Sequence, residues 1–233
     1  MPSERAIKLT IAALGGQGGG VLANWLIGIA ESEGYIAQTT SVPGVAQRTG
    51  ATIYYLEFFP QSLATEAGRD PIMALMPASG DVDCVLASEL AEAARAIQRG
   101  LVTRDRTTLI ASSHRSYSIG ERSAMGDGTA DEKQLLELVR TQALRAVVFD
   151  MDAVAESHHS VISSVMLGAL CGSGALPFRK AATMRRRLAR RGARGPRRLA
   201  RLARRGPRGR GQAARREWVA HCRDRATLVL RAR

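Results

Sequence analysis

The stretch IKLTIAALGGQGGGVLANWL, Ile7 to Leu26, decides the fold. Its first eight residues are an apolar run with one charge, Lys8, near the start, which is the pattern of a strand buried in a parallel sheet. They lead into Gly15-Gly16-Gln17-Gly18-Gly19-Gly20, a turn with a single side chain beyond hydrogen. From Val21 to about Glu33 the residues Leu22, Trp25, Leu26 and Ile29 recur at helical spacing, and Gly34 is placed to stop the helix. Tyr35–Thr40 then returns as a strand. Strand, tight turn, helix and strand make a βαβ unit with a right-handed crossover.

Working outward, the same alternation continues. Ser41–Gly50 (SVPGVAQRTG) is a loop by composition, with Pro43, Gly44 and Gly50 as breakers. Ala51–Phe58 is β-branched and aromatic and reads as a strand, and Pro71–Met76 as a short edge strand. Asp83–Ala87 is a further buried strand, followed by a helix over Ser88–Arg99 with Ser88 as its N-cap. Thr107–Ala111 is a strand, and Ala130–Leu144 a helix with Asp131 and Glu132 near its start and Arg140 and Arg145 near its end, the order the helix dipole favours. Ala146–Asp150 closes the set of strands, and Ala153–Ala169 is mostly helical. The pattern predicts a three-layer α/β/α domain with a mostly parallel sheet over residues 1–178, followed by an Arg-rich, poorly ordered tail over 179–233.

The charge divides at the same place. The chain carries 34 Lys and Arg against 21 Asp and Glu, a net of +13. Residues 179–233 hold 20 Arg and one Lys against Glu217 and Asp224, a net of +19, so residues 1–178 hold 13 bases and 19 acids, a net of −6. A basic surface on the folded part is thereby disfavoured, and nucleic acid is a partner only if the tail is genuine. Cys84, Cys171 and Cys222 form no CxxC pair, so neither a zinc ribbon nor an iron–sulfur cluster is built from this chain alone. The expected address is the cytoplasm, with no membrane segment.

A glycine cluster between strand and helix brings backbone N–H groups and the helix dipole up to whatever lies above it, which favours an anion. Gly18-Gly19-Gly20-Val21-Leu22-Ala23 satisfies GxGxxA, the pattern of a dinucleotide-binding turn. The second strand, however, offers Ala37-Gln38-Thr39-Thr40 where a ribose-binding acid belongs. A nucleotide-binding module remains an alternative; so does the plainer reading that the glycines only allow tight strand–helix packing. Gly126-Asp127-Gly128 opens a thiamine diphosphate motif, but the asparagine pair that completes it is missing, since Asn24 is the only asparagine in the sequence. A turn is the simpler reading. His114 follows a strand end, where α/β folds place ligands, though a loop-stabilising role suits it better. His158 and His159 are adjacent and make a poor metal pair. Cys84 lies in an apolar strand as a small hydrophobe.

LGGQGGGVLANWL at Leu14–Leu26 followed by QTTSVPGVAQRTGAT at Gln38–Thr52 resembles the gamma-type domain of the 2-oxoacid:ferredoxin oxidoreductases, most like the beta-subunit type of the indolepyruvate oxidoreductases. Ala74–Leu90, His114–Gly128 and Gly172–Phe178 extend the resemblance over roughly residues 6–178. It implies a subunit rather than a complete enzyme. Such enzymes oxidatively decarboxylate a 2-oxoacid, here an aryl pyruvate, transfer the acyl group to coenzyme A, and pass electrons to ferredoxin. Thiamine diphosphate, Mg and the iron–sulfur clusters belong to partner domains, on an alpha subunit. The resemblance places Gly15, Gly16, Gln17, Gly18, Gly19 and Gly20, with Gln47, Arg48 and Thr49, near the coenzyme A and substrate region. Arg48 is the only Lys or Arg between Lys8 and Arg69, so it is the expected anion contact; pairing with an acid of a neighbouring subunit is the other use open to it.

Of the 55 residues from Arg179 onward, 20 are Arg, 11 Ala, 5 Gly and 2 Pro. That composition is what GC-rich codons yield when read out of frame. A basic arm for nucleic acid or acidic lipid is the rival, although such arms mix in lysine and aromatics and only Trp218 is present. Sequencing the source DNA through codons 175–190 separates the two: a shifted frame is expected, and an error-free in-frame gene contradicts it.

Overall fold

The computed structural model describes residues 5–43, 51–116 and 131–178. Gln47, Arg48, Thr49, the Gly126–Gly128 turn and the whole of 179–233 lie outside the described residues. The strands are β1 (Ile7–Leu14), β2 (Tyr35–Pro43), β3 (Ala51–Pro60), β4 (Cys84–Ala87), β5 (Thr108–Ser112) and β6 (Arg145–Phe149). The helices are α1 (Gly19–Ser32), α2 (Gln61–Ala67), α3 (Leu90–Gln98), α4 (Glu132–Thr141), α5 (Met151–Ser157) and α6 (Ile162–Ser173).

The six strands form one sheet in the order β2-β3-β1-β4-β5-β6. β1, β4, β5 and β6 run parallel, and β3 lies antiparallel to both β1 and β2. The mostly parallel three-layer architecture is therefore as expected. β1 and β2 are parallel, as the βαβ unit requires, but β3 lies between them, so the crossover spans an occupied position. Nothing local marks this, because strand adjacency is set by pairing over long sequence separation.

Alternation along β1 sorts the core into two faces. Ile7, Leu9, Ile11 and Ala13 point to the side covered by α1, α5 and α6, where Leu22, Leu26, Val165 and Met166 are fully buried. The opposite side of β4–β6 packs against α3 and α4 through Val85, Leu109, Leu90, Ala93 and Val139. Phe178 closes the first face, its ring edge-on to Tyr35 at 5.3 Å and to Phe58 at 5.4 Å.

Over β1 and β3 the second face is polar instead. Lys8 and Glu57 are direct cross-strand partners, as are Thr10 and Tyr55. The Tyr55 hydroxyl donates to Glu57, whose other carboxylate oxygen accepts the Ala74 N–H at 2.9 Å. Lys8 pairs with Asp81, and Arg106 bridges Asp81 and Asp83. This cluster is covered by the irregular segment before β4. Here the expected strand at Pro71–Met76 is absent: the segment is coil, held by Gln38 Nε2 on the Ala74 carbonyl at 3.1 Å and by the Thr40 hydroxyl on that of Leu75 at 2.7 Å. Side chains of β2 take its backbone groups where a strand ladder would.

Other boundaries shifted for identifiable reasons. Glu89, not Ser88, caps α3: its side chain accepts the Glu92 N–H at 2.9 Å, while the Ser88 hydroxyl accepts the Leu14 N–H at 3.3 Å. The helical stretch after β6 is two helices, broken at His158–Val161, where His159 takes a φ of 49°. The loop expected from Ser41 begins later, since β2 runs through Pro43.

Asp81 is held below the ordinary carboxylate pKa by its hydrogen bond from Lys8, with Arg106 adding to it against partial burial. Burial opposes the Asp83 charge, but hydrogen bonds from Arg5, Arg106 and the Lys8 backbone outweigh it and lower its pKa as well. A depressed carboxylate contributes stability that is complete above the unfolded value, about 3.9, and is lost as pH falls through the folded one. The thermal midpoint is therefore expected to drop steeply below about pH 4. Asp83→Asn lowers it at pH 7 and flattens the acid limb; parallel pH curves for variant and wild type contradict this.

Candidate functional site

The chain leaves β1 at Leu14 and turns on the glycines. Gln17 N–H closes the turn on the Leu14 carbonyl at 3.2 Å, and Gln17 Oε1 accepts the Leu14 N–H at the same distance, so that amide oxygen serves the turn itself. Gly16 and Gly18 have φ of 85° and 79°, the left-handed region that only glycine enters freely. Gly15 and Gly16 are exposed, whereas Gly19 is buried. A Cβ on Gly19 would lie 2.6 Å from the Tyr54 ring and 2.8 Å from Ala13 Cβ, and one on Gly18 would lie 2.7 Å from Ser163 Oγ. Both glycines are thus required for packing, which upholds the plain reading for those two positions. Gly16 has nothing within 4 Å of such a Cβ and faces open space.

The site is located by topology. β1 and β4 are parallel neighbours, yet α1 leaves β1 toward one face and α3 leaves β4 toward the other. Such a divergence opens a crevice at the carboxyl ends of the two strands, where open α/β sheets bind ligands. The glycine turn leaves the end of β1; Ser88 and Glu89, both buried at the end of β4, are joined to it by the Ser88 hydroxyl, which accepts the Leu14 N–H at 3.3 Å.

The described residues that flank the second half of the motif lie at the same edge by register. The segment containing Gln47, Arg48 and Thr49 joins Pro43 to Ala51, and Ala51 pairs with Leu14, the residue before Gly15. β3 therefore begins where the glycine turn begins. Its insertion also weakens the dinucleotide alternative. The strand beside β1 on that side runs antiparallel and brings Ala51 and Thr52 to the edge, with no acid for a ribose.

Beyond Ser88, Glu89 is the residue that the motifs do not reveal. It is 1% exposed, and while one oxygen caps α3 the other accepts the Ser116 N–H at 3.3 Å, with Arg115 Nη1 at 3.9 Å. The Leu90 N–H donates to the His114 carbonyl at 3.0 Å. His114 Nδ1 lies 3.6 Å from Asp152 at the start of α5, and the Ser112 hydroxyl accepts from His114 N and Met151 N. The loop-stabilising role weighed for His114 fits these contacts. Glu92, one turn along, has its pKa raised by burial, with Arg95 opposing. A carboxylate ahead of a helix is a legible cap; its grip on a loop 27 residues away is not.

No group of three or more His, Cys, Asp or Glu among the described residues is arranged to hold a metal ion. Burial pushes the Cys84 thiol far up, and that of Cys171 up to about 12. No helix among the described residues is long and apolar enough to cross a membrane.

The sequence matches the Pyruvate ferredoxin/flavodoxin oxidoreductase family over residues 8–201, a span that runs past Phe178 into the arginine-rich segment. No curated protein sequence matches it. Among solved structures, the fold is similar to a 2-oxoglutarate:ferredoxin oxidoreductase from Magnetococcus marinus with 2-oxoglutarate, coenzyme A and succinyl-CoA bound. The TM-score is 0.56 at 13% identity, over 99% of this chain and 32% of that one. The chain spans about a third of that protein's length. It is also similar to the pyruvate oxidoreductase subunit PORC of Thermotoga maritima, with TM-score 0.53, 15% identity, and 96% and 93% of the two chains covered. A third is the gamma subunit of a keto/oxoacid ferredoxin oxidoreductase from Geobacter sulfurreducens PCA, with TM-score 0.53, 13% identity, and 95% and 99% covered. At these identities the likeness is one of fold.

The contrast among the glycines is testable by denaturant unfolding. Gly18→Ala and Gly19→Ala are each expected to cost about 2 kcal/mol or more, through strain or overlap. Gly16→Ala costs only its backbone strain, about 1 kcal/mol. Equal losses at all three positions contradict this account of the turn.

Proposed function

The chain belongs to the pyruvate ferredoxin/flavodoxin oxidoreductase family, and from that premise we propose that it is one subunit of a 2-oxoacid oxidoreductase, contributing the coenzyme A-facing wall of the active centre. The observation that carries this reading is the glycine turn at the β1/β4 divergence, with Pro43 and Ala51, the described residues on either side of Gln47, Arg48 and Thr49 in sequence, at the same sheet edge. Exposed backbone at a helix start and one guanidinium are suitable partners for the pyrophosphate and 3′-phosphate of coenzyme A. A protein of this fold has been solved with coenzyme A and succinyl-CoA bound, which supports the same ligand class here.

In this reading Gly15, Gly16, Gln17, Gly18, Gly19, Gly20, Gln47, Arg48 and Thr49 hold and orient the thioester-forming co-substrate. Thiamine diphosphate with Mg, and the iron–sulfur clusters that deliver electrons to ferredoxin, lie on an alpha subunit. The expected 2-oxoacid is indolepyruvate or another aryl pyruvate, on the strength of the motif resemblance. The chain's own work is binding and positioning: a bidentate guanidinium fixes a phosphate more firmly than a point charge does, and a fixed pantetheine arm presents its thiol in a reactive orientation.

Co-expression with an alpha subunit tests the proposal. Indolepyruvate-dependent, coenzyme A-dependent reduction of an electron acceptor should require both chains; full activity with this chain omitted refutes the assignment. Arg48→Ala is expected to raise the KM for coenzyme A about tenfold, as loss of one charge-assisted hydrogen bond, with little change in the KM for the oxoacid. An unchanged KM for coenzyme A removes Arg48 from the site.

A further inference from the structure

The sheet ends on two unlike strands. β6 closes one side with five residues and opens on a charge, Arg145. β2 closes the other with nine residues, YIAQTTSVP, and carries no charge at all. An outermost strand offers backbone N–H and C=O groups on its open side, and proteins blunt such edges with short strands, charges or a covering element. β6 has the first two of these. β2 has neither, and its one proline, Pro43, stands at the end, where it blocks little. Among the described residues no strand lies outside β2, and Thr39 and Ser41 are exposed.

A second, independent feature lies against the same strand. The coil Pro71–Ala78 (PIMALMPA) is also without charge. Gln38 and Thr40 of β2 hold it through the Ala74 and Leu75 carbonyls. Ile72 is 100% exposed, Leu75 71% and Met76 61%, three large apolar side chains within five residues. Single exposed apolar residues are ordinary; a group of them beside an open strand marks an interaction surface.

We propose that two copies of this chain associate through β2, antiparallel about a two-fold axis, joining the six strands of each into one continuous sheet. Symmetry favours a second copy. A strand is its own antiparallel complement, and pairing centred on Thr39 uses the whole of β2 with no like charges opposed. The axis that makes antiparallel neighbours within one sheet is perpendicular to it, so each face continues as the same face. The two Pro71–Ala78 coils, one from each copy, therefore come to one side of the seam, with Ile72, Leu75 and Met76 beside their equivalents. A foreign strand would take the backbone groups and leave those three side chains in water. A specific interface needs about 800 Å² from each partner; a strand edge about 30 Å long and the apolar trio together reach that scale. The seam lies on the side strand and not on the glycine turn, so the association stands or falls apart from the coenzyme A reading.

Sedimentation velocity of the full chain tests this. The wild type is expected to form a concentration-dependent dimer in the micromolar range. Thr39→Lys sets two ammonium groups opposite one another at the axis, and Ile72→Asp sets two carboxylates in the apolar seam. Each is expected to weaken the dimer about tenfold or more. Both residues are exposed, so the thermal midpoint of the monomer should hold. A monomeric wild type overturns the proposal, as does a dimer that both variants leave at full strength. Amide hydrogen exchange of the wild type needs no variant: residues 35–43 should exchange faster on dilution from dimer to monomer. Exchange there that does not change on dilution overturns the pairing, and slowing seen only on addition of an alpha subunit assigns the edge to that partner instead.

Discussion

The structure depends on a place where no side chain fits. Gly19 lies between Ala13 and the Tyr54 ring, with less than 3 Å left for a Cβ on either side, and Gly18 abuts Ser163. Three elements converge there: β1, which precedes the turn, β3, which carries Tyr54, and α6, which carries Ser163. Because α1 starts at this contact, its apolar stripe of Leu22, Leu26 and Ile29 is set onto the sheet at a fixed angle and height. The same closeness leaves Gly15 and Gly16 exposed at the sheet edge. Within six residues the inner glycines are thus packed and the outer ones open to solvent.

The antiparallel β3 is the second determinant. It pairs along the whole of β1 and returns to the sheet edge at Ala51, so the β2–β3 connection springs from beside the glycine turn. It also places Glu57 opposite Lys8 in the interior. A buried carboxylate is tolerated there because Tyr55, the Ala74 N–H and Lys8 surround it. The segment from Arg69 to Asp83 is thereby anchored by polar contacts rather than by a strand ladder, leaving Ile72, Leu75 and Met76 exposed.

Local chemistry made much of this legible in the sequence. The buried strands β1, β4, β5 and β6 are apolar runs, α4 announces itself by Asp131 and Glu132, and the glycine turn by composition. What was not legible depends on distant partners. The insertion of β3 is a pairing decision, and Pro71–Met76 resembles a strand until β2 side chains take its carbonyls. Ser88 looks like a cap until its hydroxyl is found on Leu14, 74 residues away. Ser163, next to Ser164 at the start of α6, gives no sign from spacing that it abuts Gly18. The motif residues Gly15–Gly20 and Gln47–Thr49 pointed to an anion; the register that brings Pro43 and Ala51, on either side of the second segment in sequence, beside the glycine turn comes only from the fold.

In the proposed function the glycine turn and the β2–β3 connection form the wall against which coenzyme A lies. The most direct test is photo-crosslinking of the assembled oxidoreductase with an aryl-azide analogue of coenzyme A, with the labelled peptides mapped by mass spectrometry. The account predicts label within residues 12–26 or 42–52 of this chain, and competition by unmodified coenzyme A. Label found only on the partner subunit contradicts it.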